Sequence, residues 1–553
     1  MKALGAAVAA AAATLCACAG ARSDREALEQ ELTRARATVG VGQAAEAAHT
    51  GRVTGTQRLE MVLPPTPLRG AAGLACLREQ ILVTEPLVDR ISSVRADGSV
   101  GRIGTPHGFA RPLDLAVDAA GTLYVASAEP GGVWRRDPAG SWRRIGPGLS
   151  DLGGIAVAAD GALIASECAQ GGRLLRLDAG DGSVLGLIAE GLGCPGRPFL
   201  QDDGTVIVPL REAGEVRAID PRTKTSTVLA RGLDIPSAAG RTPDGALVVL
   251  ESGTGRIRRL GGSREAPSVT ALAPGIADLV VCGETTVVSN EATGALHAYK
   301  PWPSGRRTLV RAGLVVASGI AFDGEDLIVT DRAAVKRIRG SEIEVLVLSR
   351  FDGMPPPVGL SGGLPGIVWV TSPEMGELLQ VDIGRGESTR IASGLDWPTS
   401  VLRTFTGELV IAETGAGRVV RLGLGAIPYT MASGLMSPVG LASRGHRVIT
   451  AEPEGGRVLA LRSEEAPIVL ASGLASPAGL ATDRRRPLYI AEERKGTLLA
   501  RTSDGGERRI AEGLALRTRR GDRLYPVPLA VGPDGSVVVA SPENGSIVRI
   551  VDN

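Results

Sequence analysis

Residues 438–474 read PVGLASRGHRVITAEPEGGRVLALRSEEAPIVLASGL, and residues 477–500 begin the same pattern again as PAGLATDRRRPLYIAEERKGTLLA. Each copy contains short apolar runs, partly β-branched, that are separated by Gly, Pro or Asp-Gly turn signals. The runs are four to six residues long, which is typical of strands and too short for helices. The stretch therefore predicts a repeated unit of four antiparallel strands.

The repeat extends along most of the chain, which has 553 residues. From residue 66 onward, twelve copies follow one another at intervals of about 41 residues. Four short strands in a repeat of this length are the signature of a β-propeller blade, and propellers close with four to eight blades. We therefore expect an all-β fold with twelve four-stranded blades, most simply two six-bladed propellers at 51–305 and 306–553.

The two ends of the repeat region bear on how the rings close. The last unit ends with its third strand at residues 548–551, whereas residues 57–63 look like a fourth strand placed before the first unit. Such a spare strand usually completes the unfinished blade at the other end. Either each half closes on itself, or one ring contains both termini and the middle six units form the other. The spare strand slightly favours the second arrangement.

The chain begins MKALGAAVAAAAATLCACAG, in which one Lys precedes a small, apolar run that is too short to span a bilayer. Leu15, Ala17 and Cys18 resemble the lipobox of bacterial lipoproteins. This resemblance implies a lipoprotein signal peptide at 1–17 and lipid attachment at Cys18. It also implies export to the periplasmic side of the membrane or to the outer membrane. A conventional signal peptide and a cut before Cys16 are alternatives.

Residues 18–50 are expected to form a lipid anchor and a short helical tether. A capping box at 23–26, Ser-Asp-Arg-Glu, begins a brief helical pattern. A partner-binding coiled coil would need more heptads than this segment contains.

Charge and composition exclude one class of partner. The chain has 61 basic and 60 acidic residues, and aromatic residues make up 3% of it. Nucleic-acid binding requires a clustered excess of Lys and Arg or a set of stacking aromatics. We therefore expect no nucleic-acid partner.

The repeated sequence Pro-x-Gly-Leu-Ala, then Leu-Tyr-Ile-Ala-Glu, then Gly-Arg-Val-x-x-Leu resembles the NHL-repeat propellers. It is also similar to the six-bladed gluconolactonase-like (SMP-30) and streptogramin-lyase-like propellers. The resemblance covers about 490 residues and implies a propeller. It implies no single activity, because these families include hydrolases, lyases and binding scaffolds.

Gluconolactonase-like hydrolases hold one divalent ion in the central channel through Glu, Asn and Asp at the starts of the innermost strands. Oxygen ligands of this kind suit Ca²⁺ or Mg²⁺. At the matching positions of this chain only Asp114 and Asp278 are acidic, and the Glu-Gly-Pro and Pro-Asn-Gly signatures of the family are missing. The two aspartates are thus the only candidate metal ligands, and no catalytic residue is assigned. The twelve matching positions are Gly73, Asp114, Gly154, Arg197, Ala238, Asp278, Gly319, Gly359, Ser400, Gly440, Gly479 and Pro528.

An acid recurs at or near the end of the second strand in eleven units. A ring of carboxylates could bind cations or a basic partner. We favour a structural role, because an acid beside a glycine turn accepts backbone N–H groups and fixes the loop.

Four cysteines follow the signal sequence. Cys168 and Cys194 lie in loops of neighbouring units on one face, and export permits oxidation, so we predict a disulfide between them. Cys76 and Cys282 lie on the innermost strands of units one and six and are expected to be buried thiols. A bond between them would instead support closure of the first half.

These observations predict an exported, lipid-anchored binding or scaffold protein of the cell envelope. It would contact the membrane through its lipid and bind a protein or small molecule at the propeller faces. The loops at 299–306, 351–357 and 516–525 depart most from the repeat. One alternative is a metal-dependent, lactonase-like hydrolase in the first propeller that uses Asp114 and Asp278. Another is a degenerate enzyme that binds a sugar or lactone without turnover.

Overall fold

The computed structural model describes residues 51–552, apart from 56, 130, 147, 261–267, 332–333, 350–353, 424–425, 484–485 and 519–522. The predicted signal peptide at 1–17, the predicted lipid-attachment residue Cys18 and the predicted tether at 18–50 lie outside the described residues. Within the described ranges the chain forms twelve antiparallel sheets, of which eleven have four strands and one has five. This confirms the predicted all-β fold of twelve blades.

Two strands precede the first blade in sequence, and both pair with strands of the last two blades. Strand β1 (Arg52–Val53) pairs with the outer strand of blade 11 and makes it five-stranded. Strand β2 (Gln57–Leu63) pairs antiparallel with the last strand of the chain and supplies the fourth strand of blade 12. The expectation that the spare strand completes the last blade is confirmed.

Blades 1 to 6 are each built from four consecutive strands, and we call them ring 1. Their strands are, blade by blade, Leu74–Leu77, Gln80–Glu85, Arg90–Val94 and Val100–Ile103; Ala110–Val117, Leu123–Glu129, Gly132–Arg136 and Trp142–Ile145; Leu152–Val157, Leu163–Glu167, Arg173–Leu177 and Val184–Glu190; Phe199–Leu200, Val206–Leu210, Glu215–Ile219 and Ser226–Ala230; Pro236–Arg241, Leu247–Glu251, Arg256–Arg259 and Ser268–Ala271; and Ile276–Cys282, Thr285–Asn290, Leu296–Tyr299 and Arg306–Val310.

Blades 7 to 12 form ring 2. Their strands are Gly319–Asp323, Asp326–Thr330, Ala334–Arg339 and Glu342–Leu348; Leu360–Leu364, Ile367–Ser372, Glu377–Asp382 and Glu387–Ala392; Pro398–Arg403, Leu409–Glu413, Arg418–Leu422 and Pro428–Ala432; Val439–Arg444, Arg447–Glu452, Arg457–Leu461 and Ile468–Ala471; Pro477–Ala481, Leu488–Glu492, Thr497–Arg501 and Glu507–Glu512; and Leu529–Val531, Val537–Ala540 and Ile547–Asp552 with β2. Short 3₁₀ turns occur at Pro86–Val88 and Ala169–Gly171.

Each blade buries its two faces against its neighbours. Separate apolar clusters fill the seams between consecutive blades, which is why a single blade could not fold alone. Leu74 of blade 1 and Leu296 of blade 6 share a cluster, so ring 1 closes on itself. Ile320 of blade 7 and Val538 of blade 12 share another, so ring 2 does the same.

The grouping of blades into rings therefore differs from the arrangement that the spare strand at 57–63 favoured, in which the middle six units form one ring. Ring 2 contains β2 and the last strand, but the other ring is units one to six and not the middle six. The strand Arg306–Val310 also belongs to blade 6, so the strands of ring 1 extend to residue 310 rather than ending at 305.

Two buried cations join the rings. Arg69, which precedes blade 1, donates to the backbone carbonyls of Val315, Pro542 and Glu543 in ring 2. Lys336 of blade 7 is fully buried and donates to Ala292 O of blade 6 and to Asp331. Burial lowers the pKa of Lys336, and the nearby Asp331 carboxylate opposes this shift.

Candidate functional site

The central channel of ring 1 carries charge on alternate blades. Blades 2, 4 and 6 place Asp114, Arg197 and Asp278 at the equivalent channel position, whereas blades 1, 3 and 5 place small residues there. The small residues are required by close approach of the inner strands. A Cβ at Gly73, for example, would lie 2.7 Å from the Cα of Asp114.

Each aspartate ties its own blade to the next one around the ring. Asp114 accepts the N–H of Leu115 and, across the seam, the N–H of Ile155, both at 2.8 Å. Asp278 accepts the N–H of Leu279 and, across the closing seam, the N–H of Leu74, both at 2.7 Å. Both oxygens of each carboxylate are therefore engaged by backbone donors.

Arg197 bridges the two aspartates. Its Nη1 bonds to Asp278 Oδ2, and its Nε lies 3.4 Å from Asp114 Oδ2. The aspartate side chains are 4% exposed and the arginine is 19% exposed. Burial raises the pKa of Asp114, and the Arg197 guanidinium opposes that rise. The positive charge in this channel is therefore supplied by the Arg197 side chain.

The arrangement does not fit the divalent metal that the family resemblance implies. Ca²⁺ needs six to eight oxygen ligands, and Mg²⁺ needs an octahedral set. Here both carboxylates already hold a guanidinium and backbone N–H groups. Among the described residues no three His, Cys, Asp or Glu side chains group as metal ligands. Asp114 and Asp278 act as structural counter-ions in this geometry.

A cavity of about 290 Å³ opens above this channel. Its floor contains Arg197 and the two aspartates, and its wall includes both partners of the Cys168–Cys194 bond. Leu348, Ser349 and Pro356 of ring 2 also line it, so both rings contribute to the site. Ser349 is 5% exposed, and its Oγ has no hydrogen-bond partner in the described structure.

Two disulfides lie in ring 1. Cys168 is bonded to Cys194, with a sequence separation of 26 residues. Cys76 is bonded to Cys282 with a separation of 206 residues. The expectation of free thiols at 76 and 282 is therefore wrong, because ring closure brings the first and sixth inner strands side by side.

Seven of the eleven repeated acids have the structural role that the sequence favoured. Glu167 accepts the N–H of Ser150, seventeen residues earlier in the chain, and pairs with Arg173. In other blades the equivalent acid likewise accepts an N–H group from the preceding loop and bonds to a side chain that follows it in sequence. This arrangement is seen at Glu85, Glu251, Asp331, Glu413, Glu452 and Glu492.

The mouth of ring 2 is covered by the chain itself. In the arginine-rich stretch 516–525, of which 519–522 lie outside the described residues, Leu516 and Leu524 are buried. Tyr525 enters blade 12 and reaches Trp397 at the entry to blade 9, with ring centroids 6.3 Å apart. Arg523 stacks 3.9 Å from the centroid of the Trp397 ring. These blades are three positions apart in a ring of six, so Arg523 and Tyr525 reach across the mouth.

The other divergent loops contribute differently. Of residues 351–357, the first three lie outside the described residues, and Pro356 lines the ring 1 cavity. In the 299–306 loop, Tyr299 and Trp302 pack edge to face inside the seam between blades 5 and 6.

Sequence reasoning missed Arg197 and Ser349. A signal for Arg197 was present, since it occupies the same repeat position as the two aspartates and has the opposite charge. No signal pointed to Ser349, which reaches the cavity from a different ring.

No helix in the described part of the chain is long and apolar enough to cross a membrane. No protein-family model and no curated protein matches the chain. A solved streptogramin B lyase is 13% identical over 65% of this chain and 93% of its own, with a TM-score of 0.29.

Two further solved structures are similar at a comparable level. A protein assigned as a gluconolactonase is 13% identical over 47% of this chain and 95% of its own, with a TM-score of 0.36. The extracellular domain of a one-component system protein from B. thetaiotaomicron is 11% identical over 87% of this chain and 75% of its own, with a TM-score of 0.31. Scores this low assign no activity, and the fold rests on the twelve sheets themselves.

Proposed function

We propose that the chain is an exported, lipid-anchored binding protein of the cell envelope that receives a small ligand in the ring 1 cavity. The observation that carries the proposal is the cavity of about 290 Å³ above the ring 1 channel, which is lined by residues of both rings. A concave site that is lined mainly by apolar side chains and a few polar groups is the usual form of a small-ligand site. The lipobox-like sequence ending at Cys18 supports the location, and the repeat motif supports kinship with NHL-type and gluconolactonase-like propellers.

The binding site is tested by filling it. Ala277 lines the cavity and is only half-buried, so Ala277→Leu adds bulk without removing a packed side chain. Melting of the mature protein and of this variant is compared across a library of small polar compounds. A ligand at a hundred times its Kd stabilises the protein by about 2.7 kcal/mol. We expect at least one compound that raises the melting temperature of the wild type alone, and a library without one contradicts the proposal.

The location is tested at Cys18. We expect the wild type in the membrane fraction and the Cys18→Ser variant in the soluble fraction, because the variant cannot be acylated. A wild-type protein that is soluble and lacks incorporated fatty acid contradicts lipid anchoring.

The hydrolase alternative is distinguished by metal addition. We expect no change in melting when Ca²⁺, Mg²⁺ or Mn²⁺ is added to chelated protein, because Arg197 already holds both aspartates. A stabilisation that disappears in Asp114→Ala would restore the metal-dependent enzyme.

A further inference from the structure

Ring 1 has a second cleft, at the seam between blades 1 and 6. The inner strands Leu74–Leu77 and Ile276–Cys282 lie side by side at this seam. Residues near the starts of both strands, such as Asp278, line the ligand cavity. Cys76 and Cys282, at the ends of the strands, line the second cleft, which has a volume of about 790 Å³. We call it the clasp cleft, because the disulfide that joins the two blades forms part of its wall.

The clasp cleft brings the disulfide within reach of solutes. Cys76 and Cys282 are both partly exposed, and Arg78 and Gly283, in the hairpins that follow them, are fully exposed. A disulfide is reduced when a thiolate approaches one of its sulfurs, so exposed disulfides are the more readily reduced class. The bond that closes ring 1 is therefore open to attack from this cleft.

The clasp cleft also carries positive charge. The guanidinium groups of Arg78, Arg95 and Arg307 line it, together with the carboxylates of Glu79 and Asp97. Arg95 lies within electrostatic reach of Asp97. Arg78 is exposed and forms no ion pair with any residue that the structure describes. Three positive and two negative groups leave an excess of one positive charge, which attracts an anion and repels a cation.

We propose that the clasp cleft is a reaction site for a small anionic thiol, which reduces the Cys76–Cys282 bond. The thiolate attacks one sulfur, the S–S bond breaks, and the released cysteine leaves as a thiolate that takes a proton from water. A second thiol, also as its thiolate, attacks the sulfur of the first. The two thiols then leave as their own disulfide, and both cysteines are reduced. The guanidinium groups attract the anionic thiol and stabilise the departing thiolate.

Contacts other than the disulfide hold the same seam together. The N–H of Leu74 donates to Asp278 at 2.7 Å. Leu74 also shares an apolar cluster with Leu296 of blade 6. Because these contacts do not involve sulfur, we expect the reduced cysteines to stay close to each other. Removal of the thiol in the presence of its disulfide should therefore restore the Cys76–Cys282 bond by the reverse exchange.

The test compares three thiols that share a two-carbon chain. The anionic one is 2-mercaptoethanesulfonate, the neutral one is 2-mercaptoethanol, and the cationic one is 2-aminoethanethiol. Reduction of Cys76–Cys282 in the mature protein is followed at low ionic strength by alkylation and peptide mapping. Each rate is divided by the rate of the same thiol with bis(2-hydroxyethyl) disulfide, which corrects for the intrinsic reactivity of the thiol.

The corrected rates should follow the charge of the thiol. We expect the sulfonate to react about tenfold faster than the amine, with 2-mercaptoethanol between them. Added salt should bring the three rates together, because it screens exposed charges. Each rate should rise in proportion to the thiol concentration, since the thiol attacks the folded protein.

A double variant removes the charge of the cleft. Arg78→Gln with Arg95→Gln changes the excess from one positive to one negative charge, so the order of the thiols should reverse. Arg222→Gln with Arg231→Gln is the matched control. These arginines are 84% and 71% exposed in blade 4 and lie outside the cleft. The control removes the same charge from the protein and should keep the wild-type order.

Three results would overturn the inference. Equal corrected rates, or an order that survives in Arg78→Gln with Arg95→Gln, would show that the cleft does not select the thiol. A bond that none of the thiols reduces in the folded protein would show that the sulfurs are out of reach. A rate that does not depend on thiol concentration would place the reaction in an unfolded state. The compound library with Ala277→Leu decides the proposed function independently, because that test concerns the other end of the channel.

Discussion

The two rings are built from the same repeat, yet they close in different ways. In ring 1 every blade is made of consecutive strands, and the Cys76–Cys282 bond joins the first blade to the sixth. In ring 2 the strand β2 crosses from the start of the chain to complete the last blade. The repeat thus specifies a blade, whereas closure of each ring depends on residues that stand outside the repeat.

The rings also differ at their channels. Ring 1 has three charged channel residues and a cavity above them. Ring 2 has Gly, Ser or Pro at the same six positions, and Arg523 and Tyr525 cover its mouth. Departures from the repeat therefore leave a cavity at the ring 1 channel and place Arg523 and Tyr525 against Trp397 in ring 2.

The largest expected effect comes from opening ring 1. The Cys76–Cys282 bond closes a loop of 206 residues, for which a chain-entropy model gives about 5 kcal/mol of stabilisation. We expect Cys76→Ser with Cys282→Ser to lower the free energy of unfolding by up to that amount. Hydrogen exchange should quicken at the seam between blades 1 and 6 while ring 2 stays protected. Equal loss of protection in both rings contradicts separate closure.

The second disulfide provides the control. Cys168→Ser with Cys194→Ser opens a loop of only 26 residues, which the same model values at about 3 to 4 kcal/mol. This variant should leave the seam between blades 1 and 6 protected.

The channel of ring 1 is tested by removing its cation. Arg197→Ala leaves Asp114 and Asp278 buried without their counter-ion, which typically costs about 3 to 5 kcal/mol. We expect urea denaturation to show a loss of this size. Converting both aspartates to Asn in the same protein removes the uncompensated charge and should recover only part of the loss, because each amide oxygen can replace one of the two carboxylate oxygens that accept backbone N–H groups.

An exposed arginine, Arg176, provides the matched control for Arg197. Arg176→Ala breaks an exposed pair with Asp160 and should change stability by less than about 1 kcal/mol. Equal losses of stability in Arg176→Ala and Arg197→Ala would show that the channel ion pairs stabilise the protein no more than a surface ion pair does.

Ring 2 is tested at its closing strand. Leu63 at the end of β2 is 3% exposed and packs with Leu314 and Ile547. Leu63→Ala should cost about 3 kcal/mol through lost burial and the cavity left behind. Met61→Ala on the same strand is the control, since Met61 is 37% exposed and should lose less than about 1 kcal/mol. Loss of protection in ring 1 rather than in blades 12 and 7 would contradict the role of β2.

The sequence could predict what the repeat encodes. Apolar runs and turns recur in every unit, so blade number and strand order follow from them. The acids that fix loops, such as Glu167 and Glu452, were predictable because they recur beside the same turn. The spare strand at 57–63 was recognisable because the last unit lacks one.

The contacts that no repeat encodes could not be predicted. Arg69 and Lys336 join the rings mainly through backbone carbonyls, which every residue possesses and no sequence pattern marks. The pairing of Arg197 requires that alternate blades converge on one axis, which only the closed ring reveals. Ser349 lies near the end of an outer strand, and its position over the other ring depends on how the two rings pack.

The smallest expected effect is a difference between the two rings in how a histidine makes stability depend on pH. Burial, with a contribution from Arg306, lowers the pKa of His297 in blade 6 to about 4, whereas an unfolded histidine titrates near 6.5. The unfolded chain therefore binds more protons between these values, and stability present above pH 6.5 is lost as the pH falls toward 4. We expect a loss of about 2 kcal/mol, less than the full shift would give because the imidazole is only partly buried. Urea denaturation at pH 7.5 and 4.5 should show a smaller difference for His297→Asn than for the wild type. His446→Asn in ring 2, where the side chain is exposed, should leave the difference unchanged, and an equal effect of the two variants would contradict an acid sensitivity confined to ring 1.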